Sequence, residues 1–314
     1  MVRNLSIAVL ASLVAACGPQ QAPSPRASVP GVDPLSGALS TIEAELPAAD
    51  LANVRGPAGT VLLGASLESA RVVGGASPDC QMVRGAGNIQ QPTSARCASL
   101  LGAYATLERA RGFLLAAGAE SLAPALVVAE PRFDAHAESA AEGEFGPGLH
   151  YVARLDLFTL LSGPTGARIP AGLNPGAVTR EVSRRQLRAL AELHPEEAEG
   201  LALFLGAAAS GDPGYLAGSQ ALGDPRGELD LSRPLLADAS SAAIVAGALW
   251  AWSDASGDPL GAARAALAAS RALASGREHD SPLLSLVVEQ LNGSERDQAC
   301  AVFRAHAGRL PACP

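Results

Sequence analysis

The chain contains no lysine; all 23 of its basic residues are arginine. Chemistry that needs a lysine amine is therefore excluded, which removes the phosphate-binding Walker loop, the Ser-x-x-Lys acyl-transfer site and Schiff-base catalysis. Together with the abundance of Ala, Gly and Pro, the all-arginine usage reads as the codon bias of a GC-rich genome. Other signatures are missing too. No Gly-x-Ser-x-Gly elbow, Gly-x-Gly-x-x-Gly fingerprint, Cys-x-x-Cys-His haem attachment or His-Glu-x-x-His zinc motif occurs. Aromatic residues make up only 4% of the chain, so its apolar content of 48% is carried by Ala, Leu and Val, small side chains that suit closely packed helices. Charged residues are also sparse at 17%, which excludes a disordered chain held open by its own charge. The net charge of -8, with no basic block to offset it, argues against a nucleic-acid partner.

What is present begins at the N-terminus. Arg3 supplies a positive start, an apolar run extends from Leu5 to Val14, and Val14-Ala15-Ala16-Cys17 closes the segment. The run is about ten residues long, whereas a bilayer-spanning helix needs about twenty. Gly18, Pro19, Pro23 and Pro25 follow in a polar stretch of the kind that forms an extended tether. The arrangement resembles a bacterial lipoprotein signal peptide with its lipobox. That resemblance implies cleavage before Cys17 and attachment of lipid to its thiol, so that the membrane is reached through acyl chains rather than a protein span. It also implies an outer-membrane destination, facing the periplasm or the surface, because Gly18 stands where an Asp favours inner-membrane retention.

With Cys17 assigned to lipid, four of the five cysteines remain, in a compartment that permits disulfides. Cys80 and Cys97 bracket a Gly/Pro-containing loop, and Cys300 and Cys313 bracket the last helix and the tail. Local pairing, Cys80 with Cys97 and Cys300 with Cys313, is the expected choice among the three connectivities. A four-cysteine zinc site is disfavoured because no Cys-x-x-Cys spacing occurs.

Along the chain, Asp33-Pro34 followed by Leu35, Leu39, Ile42 and Leu46 predicts a short amphipathic helix, and residues 60–64 a strand. Residues 95–117 predict a long helix stopped by Gly118. Two strands are expected at 125–129 and 149–157, paired as a hairpin, with a short third strand after Gly163-Pro164-Thr165-Gly166; a helix through 149–161 is the competing reading. From Val178 the pattern is helical almost to the end. Asp212-Pro213 and Asp258-Pro259 repeat a helix-start signal within two Ser-Gly-Asp-Pro sequences, which admit two readings: a helical-hairpin repeat, or simply a good turn between helices. The expected fold class is mainly α with a small β element (α+β) and a helical C-terminal half. Its divisions are a signal peptide at 1–16, a lipidated Pro-rich tether at 17–32, a mixed helix and strand region at 33–170 and a helical region at 171–314.

Four groups of residues could carry chemistry or binding. Asp134, His136 and Glu138 would share one face of an extended segment, and His150 would sit across the hairpin from His136. Two imidazoles and a carboxylate form a zinc ligand set with a fourth position left for water, so His136, Glu138 and His150 are the candidate metal ligands. Arg180, Arg184, Arg185 and Arg188 form a basic helix face that an acidic partner or lipid headgroup could meet; the simpler expectation is pairing with Glu181, Glu192 and neighbouring acids on a solvated surface. His194, Glu196, Glu197 and Glu199 form a polar cluster that a helix dipole alone accounts for. Trp250 and Trp252, two residues apart, cannot share one helical face, so one of them should reach a rim or groove. The expected function is that of a non-catalytic, lipid-anchored envelope lipoprotein presenting a mostly helical interaction or binding module to an envelope protein partner. The alternatives are a periplasmic metal-dependent hydrolase using zinc and a small-ligand carrier with a pocket near Trp250.

Overall fold

Among the described residues the first element is a strand lying within the stretch that composition assigned to the tether. In the computed structural model, β1 (Arg26–Val32) alternates exposed and buried side chains, with Ala27 wholly and Val29 almost wholly inside. Its prolines suggested a tether; its small apolar residues at every second position make it a half-buried strand instead. The structure describes residues 24–313 apart from 34–35, 47–48, 69–70, 122, 134–147, 162–169, 189, 191–192, 218–228, 234–238, 275–282 and 309.

β2 (Leu39–Glu45) lies where a helix was predicted. It pairs antiparallel with β1, from Arg26↔Glu45 to Val32↔Leu39. Asp33 caps a reverse turn, its Oδ1 accepting from the Ser36 N–H at 3.0 Å, and does not start a helix. The Leu39 and Ile42 spacing favours a helix, and pairing with β1 overrides it: the two side chains fall on opposite faces, with Leu39 43% exposed and Ile42 half-buried. Ile42 folds over Gly31 on β1, where a side chain would collide with it. This sheet has the order β2-β1-β7-β6, adding β6 (Met82–Arg84) and β7 (Gln90–Pro92).

The central sheet has the order β10-β11-β8-β3. β3 (Gly59–Leu63), β8 (Ala125–Ala129) and β11 (Leu157–Leu161) run parallel, and β10 (Gly148–Val152) is an antiparallel edge. The predicted single strand over 149–157 is therefore two, separated by a 3-10 turn at Ala153–Leu155 and by Asp156 in the left-handed conformation (φ 48°). The hairpin expected between 125–129 and this region does not form: β8 pairs with β11 in parallel, and β10 lies beyond it. A small third sheet, β5-β4-β9, is built from β4 (Ser66–Leu67), β5 (Val72–Val73) and β9 (Arg132–Phe133). Its Leu67 joins Ala65, Val128, Val152 and Leu157 in a minor core on one face of the central sheet. The third strand expected after Gly166 falls partly at 167–169, outside the described residues.

Between β3 and β8 runs α1 (Ala95–Ala116), the crossover that parallel neighbours require. Ser94 caps it, its hydroxyl accepting from the Cys97 N–H at 3.2 Å. After β11 come α2 (Pro175–Arg188), α3 (Pro195–Ser210), α4 (Ser241–Ser256), α5 (Pro259–Ala274), α6 (Leu283–Glu289) and α7 (Gly293–Ala307). The fold is thus α+β with a helical C-terminal half, as its periodicity indicated. α3 packs between α2 and α4, α7 returns to α4, and α5 reaches both α3 and α4. Close crossings rest on glycine: a Cβ on Gly206 would sit 2.6 Å from the Gly176 carbonyl oxygen and 2.7 Å from the Tyr215 hydroxyl. The two Ser-Gly-Asp-Pro sequences share a helix stop, Gly211 and Gly257 both lying at φ 67° after α3 and α4. After Asp258-Pro259 a helix starts at once, capped by Asp258 (Oδ1 to Gly261 N–H, 2.8 Å), whereas Asp212-Pro213 leads into turns.

One continuous core joins Val29, Leu101, Val127 and Phe158 to Val178, Phe204, Leu249 and Phe303. Both local disulfides are present, Cys80–Cys97 and Cys300–Cys313, each with Cα atoms 5.6 Å apart. The first ties the loop before β6 to the first turn of α1; the second holds the tail against α7.

Candidate ligand-binding site

Among the described residues three depressions carry charged side chains; one, of about 30 Å³, is lined by Arg111, Glu120 and Arg185 among others, and the two larger ones lie where the central sheet meets helices. The first of these is a groove of about 340 Å³ at the carboxyl ends of β8 and β11. Ala129 and Glu130 end β8, Leu160 and Leu161 end β11, and Arg96, Ser99, Leu100 and Ala103 face them from the first turns of α1. Pro170, Gly172 and Leu173, in the turn that leads to α2, close the far side. The space exists because small residues line it: Ala103 and Ala129 stop short of where a leucine would reach. α1 in turn is drawn toward β1 through Gly102, where any side chain would meet the Pro30 carbonyl.

At the mouth Arg96 Nη2 donates to Glu130 Oε2 at 2.7 Å, and each side chain is 53% exposed. Glu130 holds φ 52°, uncommon for a residue with a side chain, and its N–H donates to the Leu160 carbonyl at 3.0 Å. The strand therefore turns sharply at its end and presents the Glu130 carboxylate to α1.

The second depression, about 390 Å³, lies between β10 and the α2–α3 pair, lined by Tyr151, Arg184, Leu187, Arg188, Leu193 and Glu199 among others. Behind it the basic face predicted on α2 has become an internal network. Arg180 is only 8% exposed and bonds Glu181 Oε1 at 3.1 Å and, through Nε, Glu199 Oε1 at 2.9 Å. Glu181 Oε2 accepts from the Arg184 guanidinium at 3.1 Å and from the Tyr151 backbone N–H at 2.9 Å. Burial pushes the Glu181 carboxyl up, but Arg180 and Arg184 outweigh it and hold the group below its ordinary value. Arg185 grips Asp156 with two bonds of 2.9 and 3.0 Å, which holds that carboxyl low against the opposing effect of burial. Tyr151 Oη donates to Asp156 Oδ1 at 3.0 Å and accepts from Arg188 at 3.4 Å; burial raises its ionisation above the ordinary phenol value. Arg180 and Arg185 are thus committed within the protein, while Arg184 and Arg188 remain exposed at its edge; the expected pairing with Glu181 is present.

The other predicted groups have structural places. His194 caps α3, Glu197 accepts the Leu283 N–H at 2.8 Å at the start of α6, and Glu199 serves Arg180. Trp252 is 4% exposed and meets Phe303 edge-on at 5.8 Å; Trp250 is half-buried against the core. Neither tryptophan lines either depression. His150 lies on β10 opposite Thr159 of β11. Cys17, Asp134, His136 and Glu138 lie outside the described residues. Among the described residues no three His, Cys, Asp or Glu side chains gather as a metal site.

Sequence reasoning missed the groove at the carboxyl rim. The signal was available as order: strand 60–64, helix 95–117 and strand 125–129, with Glu130-Pro131 immediately after the last, form a strand–helix–strand unit with a carboxylate at its end. No family model matches the chain, and no curated protein matches it.

Proposed function

We propose that this protein is a lipid-anchored lipoprotein of the bacterial cell envelope whose α+β body binds a small molecule in the groove at the carboxyl rim of its parallel strands. The observation that carries the binding reading is the position of that groove. In open sheets with parallel strands, ligand sites lie outside the carboxyl ends of the strands, and the groove occupies that position at β8 and β11. Its volume, about 340 Å³, falls in the range of roughly 300–1,000 Å³ that small-molecule sites occupy. Its polar groups are few and lie at one end of an apolar interior. The reading is of a binder, not a catalyst: Arg96 and Glu130 neutralise each other, and neither the geometry nor the side chains supply an activated nucleophile. Anchoring is supported by Val14-Ala15-Ala16-Cys17 and by the short Pro-rich stretch that separates Cys17 from β1.

Two experiments test the two halves. Small carboxylates, amines and amino acids screened by NMR against the full chain should give hits that Ser99→Trp abolishes by filling the groove mouth. Hits indifferent to that substitution, or none, overturn the binding site. Intact mass and membrane fractionation of wild type and Cys17→Ser, expressed in a host with lipoprotein processing, should show a lipid-bearing chain starting at Cys17 and release of the variant from membranes. An unmodified wild-type chain overturns the anchor.

A further inference from the structure

We infer that the rim groove takes a zwitterion, and specifically a free α-amino acid with an apolar side chain. This rests on the groove being the binding site proposed above. Its mouth carries one guanidinium and one carboxylate on different elements, Arg96 in the first turn of α1 and Glu130 at the end of β8, 2.7 Å apart. A ligand carrying a carboxylate and an ammonium on one carbon exchanges this single pair for two. Arg96 takes the carboxylate with its planar fork, and Glu130 takes the ammonium. The exchange costs little, because an ion pair half exposed to water is weak to begin with.

Beyond the two charges and Ser99 the side chains of the lining are apolar, among them Leu100, Ala103, Leu160 and Leu173. A branched or straight apolar side chain displaces water from it. The volume lies at the small end of the ligand range, which fits one residue-sized molecule rather than a peptide. Glu130 is also held in a left-handed backbone conformation (φ 52°), the kind of local strain that clusters at ligand clamps. Finally, the chain is negative overall, at -8. That field repels anions from a distance and leaves a neutral zwitterion unaffected. A ligand with only one of the two charges leaves either Arg96 or Glu130 without its exchanged partner, so the pair selects against both half-ligands.

The test is calorimetric titration of the full chain with L-leucine, with 4-methylpentanoate, which lacks the ammonium, and with 3-methylbutylamine, which lacks the carboxylate. Leucine should bind with one-to-one stoichiometry, and each half-ligand should bind about tenfold or more weakly. Arg96→Gln and Glu130→Gln should each weaken leucine by about tenfold or more, with circular dichroism and the melting temperature confirming that these exposed substitutions leave the fold intact. If leucine does not bind, the inference is overturned. If 4-methylpentanoate binds as tightly as leucine and Ser99→Trp abolishes both, the groove stands and the zwitterion falls. If leucine binds but Ser99→Trp leaves it untouched, the groove itself is the wrong site.

Discussion

The two larger depressions have similar volumes and opposite electrostatic designs. In the cleft beside β10, the arginines visible in the sequence as a basic face are consumed by a buried Glu181, by Glu199 and by Asp156. In the rim groove a single exposed pair, Arg96 and Glu130, closes on itself and has no buried support. The difference is one of availability: a charge locked by buried partners holds the protein together, while a charge held by one weak surface pair can be redirected to a ligand. Counting charges on a helix face does not distinguish these cases; burial of the partner does.

The comparison breaks most visibly at Glu181. Replacing it with Ala removes the buried carboxylate, leaves Arg180 with Glu199 alone and the Tyr151 N–H without its acceptor, and should cost about 3–5 kcal/mol, read as a fall in the urea midpoint; a loss under 1 kcal/mol, the size of an exposed pair, would mean the network is no more than surface pairing. The same carboxylate gives an acid limb to stability. Its folded pKa lies below the ordinary value of 4.5, so its contribution is complete above that pH and is lost as pH falls through the lower folded value. Glu181→Gln should flatten that limb, and a variant with the wild-type acid slope would assign the effect to other groups, Asp156 first among them.

Next in size is the bridge that steadies the groove wall. Changing Cys80 and Cys97 together to Ser removes a loop constraint worth about 3 kcal/mol in the chain-entropy model. It should also speed hydrogen exchange in the first turn of α1, whereas exchange around Glu181 should be unaffected. Equal acceleration in both regions would show that the two sites are not mechanically separate. Gly206→Ala tests the helix crossing behind the ionic cleft: the added methyl meets the Gly176 carbonyl and Tyr215, and a loss of about 1–3 kcal/mol is expected. The smallest effect belongs to the groove. Arg96→Gln should change stability by no more than about 1 kcal/mol, the counterpart of the large loss at Glu181, and a destabilisation as large as that of Glu181→Ala would refute the contrast.

Local signals in the sequence were enough for elements whose determinants are local. The apolar spacing of Leu100, Leu101, Tyr104 and Leu107 marked α1; Asp258-Pro259 marked the start of α5; and the neighbouring cysteines marked both bridges. What failed was decided by partners distant in sequence. β2 has a helix-compatible apolar pattern until β1 pairs with it, and β1 reads as tether until α1 covers Ala27 and Val29. The pairing of β8 with β11 depends on a parallel register across more than one intervening element, so a hairpin was the shorter guess. The groove was illegible for a related reason. Arg96, Ser99 and Glu130 belong to no spacing pattern, and they meet only because a crossover returns the chain to the same edge of the sheet. Glu108, a charged residue in the middle of α1, likewise turns inward, accepting from the Ala58 N–H at 2.8 Å and the Tyr104 hydroxyl at 2.7 Å.

The disulfide pattern bears on how such a molecule is made. Each bridge joins cysteines that are consecutive in the chain once Cys17 is set aside, Cys80 with Cys97 and Cys300 with Cys313. Under the lipoprotein reading proposed above, in which Cys17 carries lipid, a polypeptide oxidised from its N-terminal end would reach this connectivity by joining each new thiol to the one before it. The order of emergence would then do the sorting, with no wrong crosslink to undo.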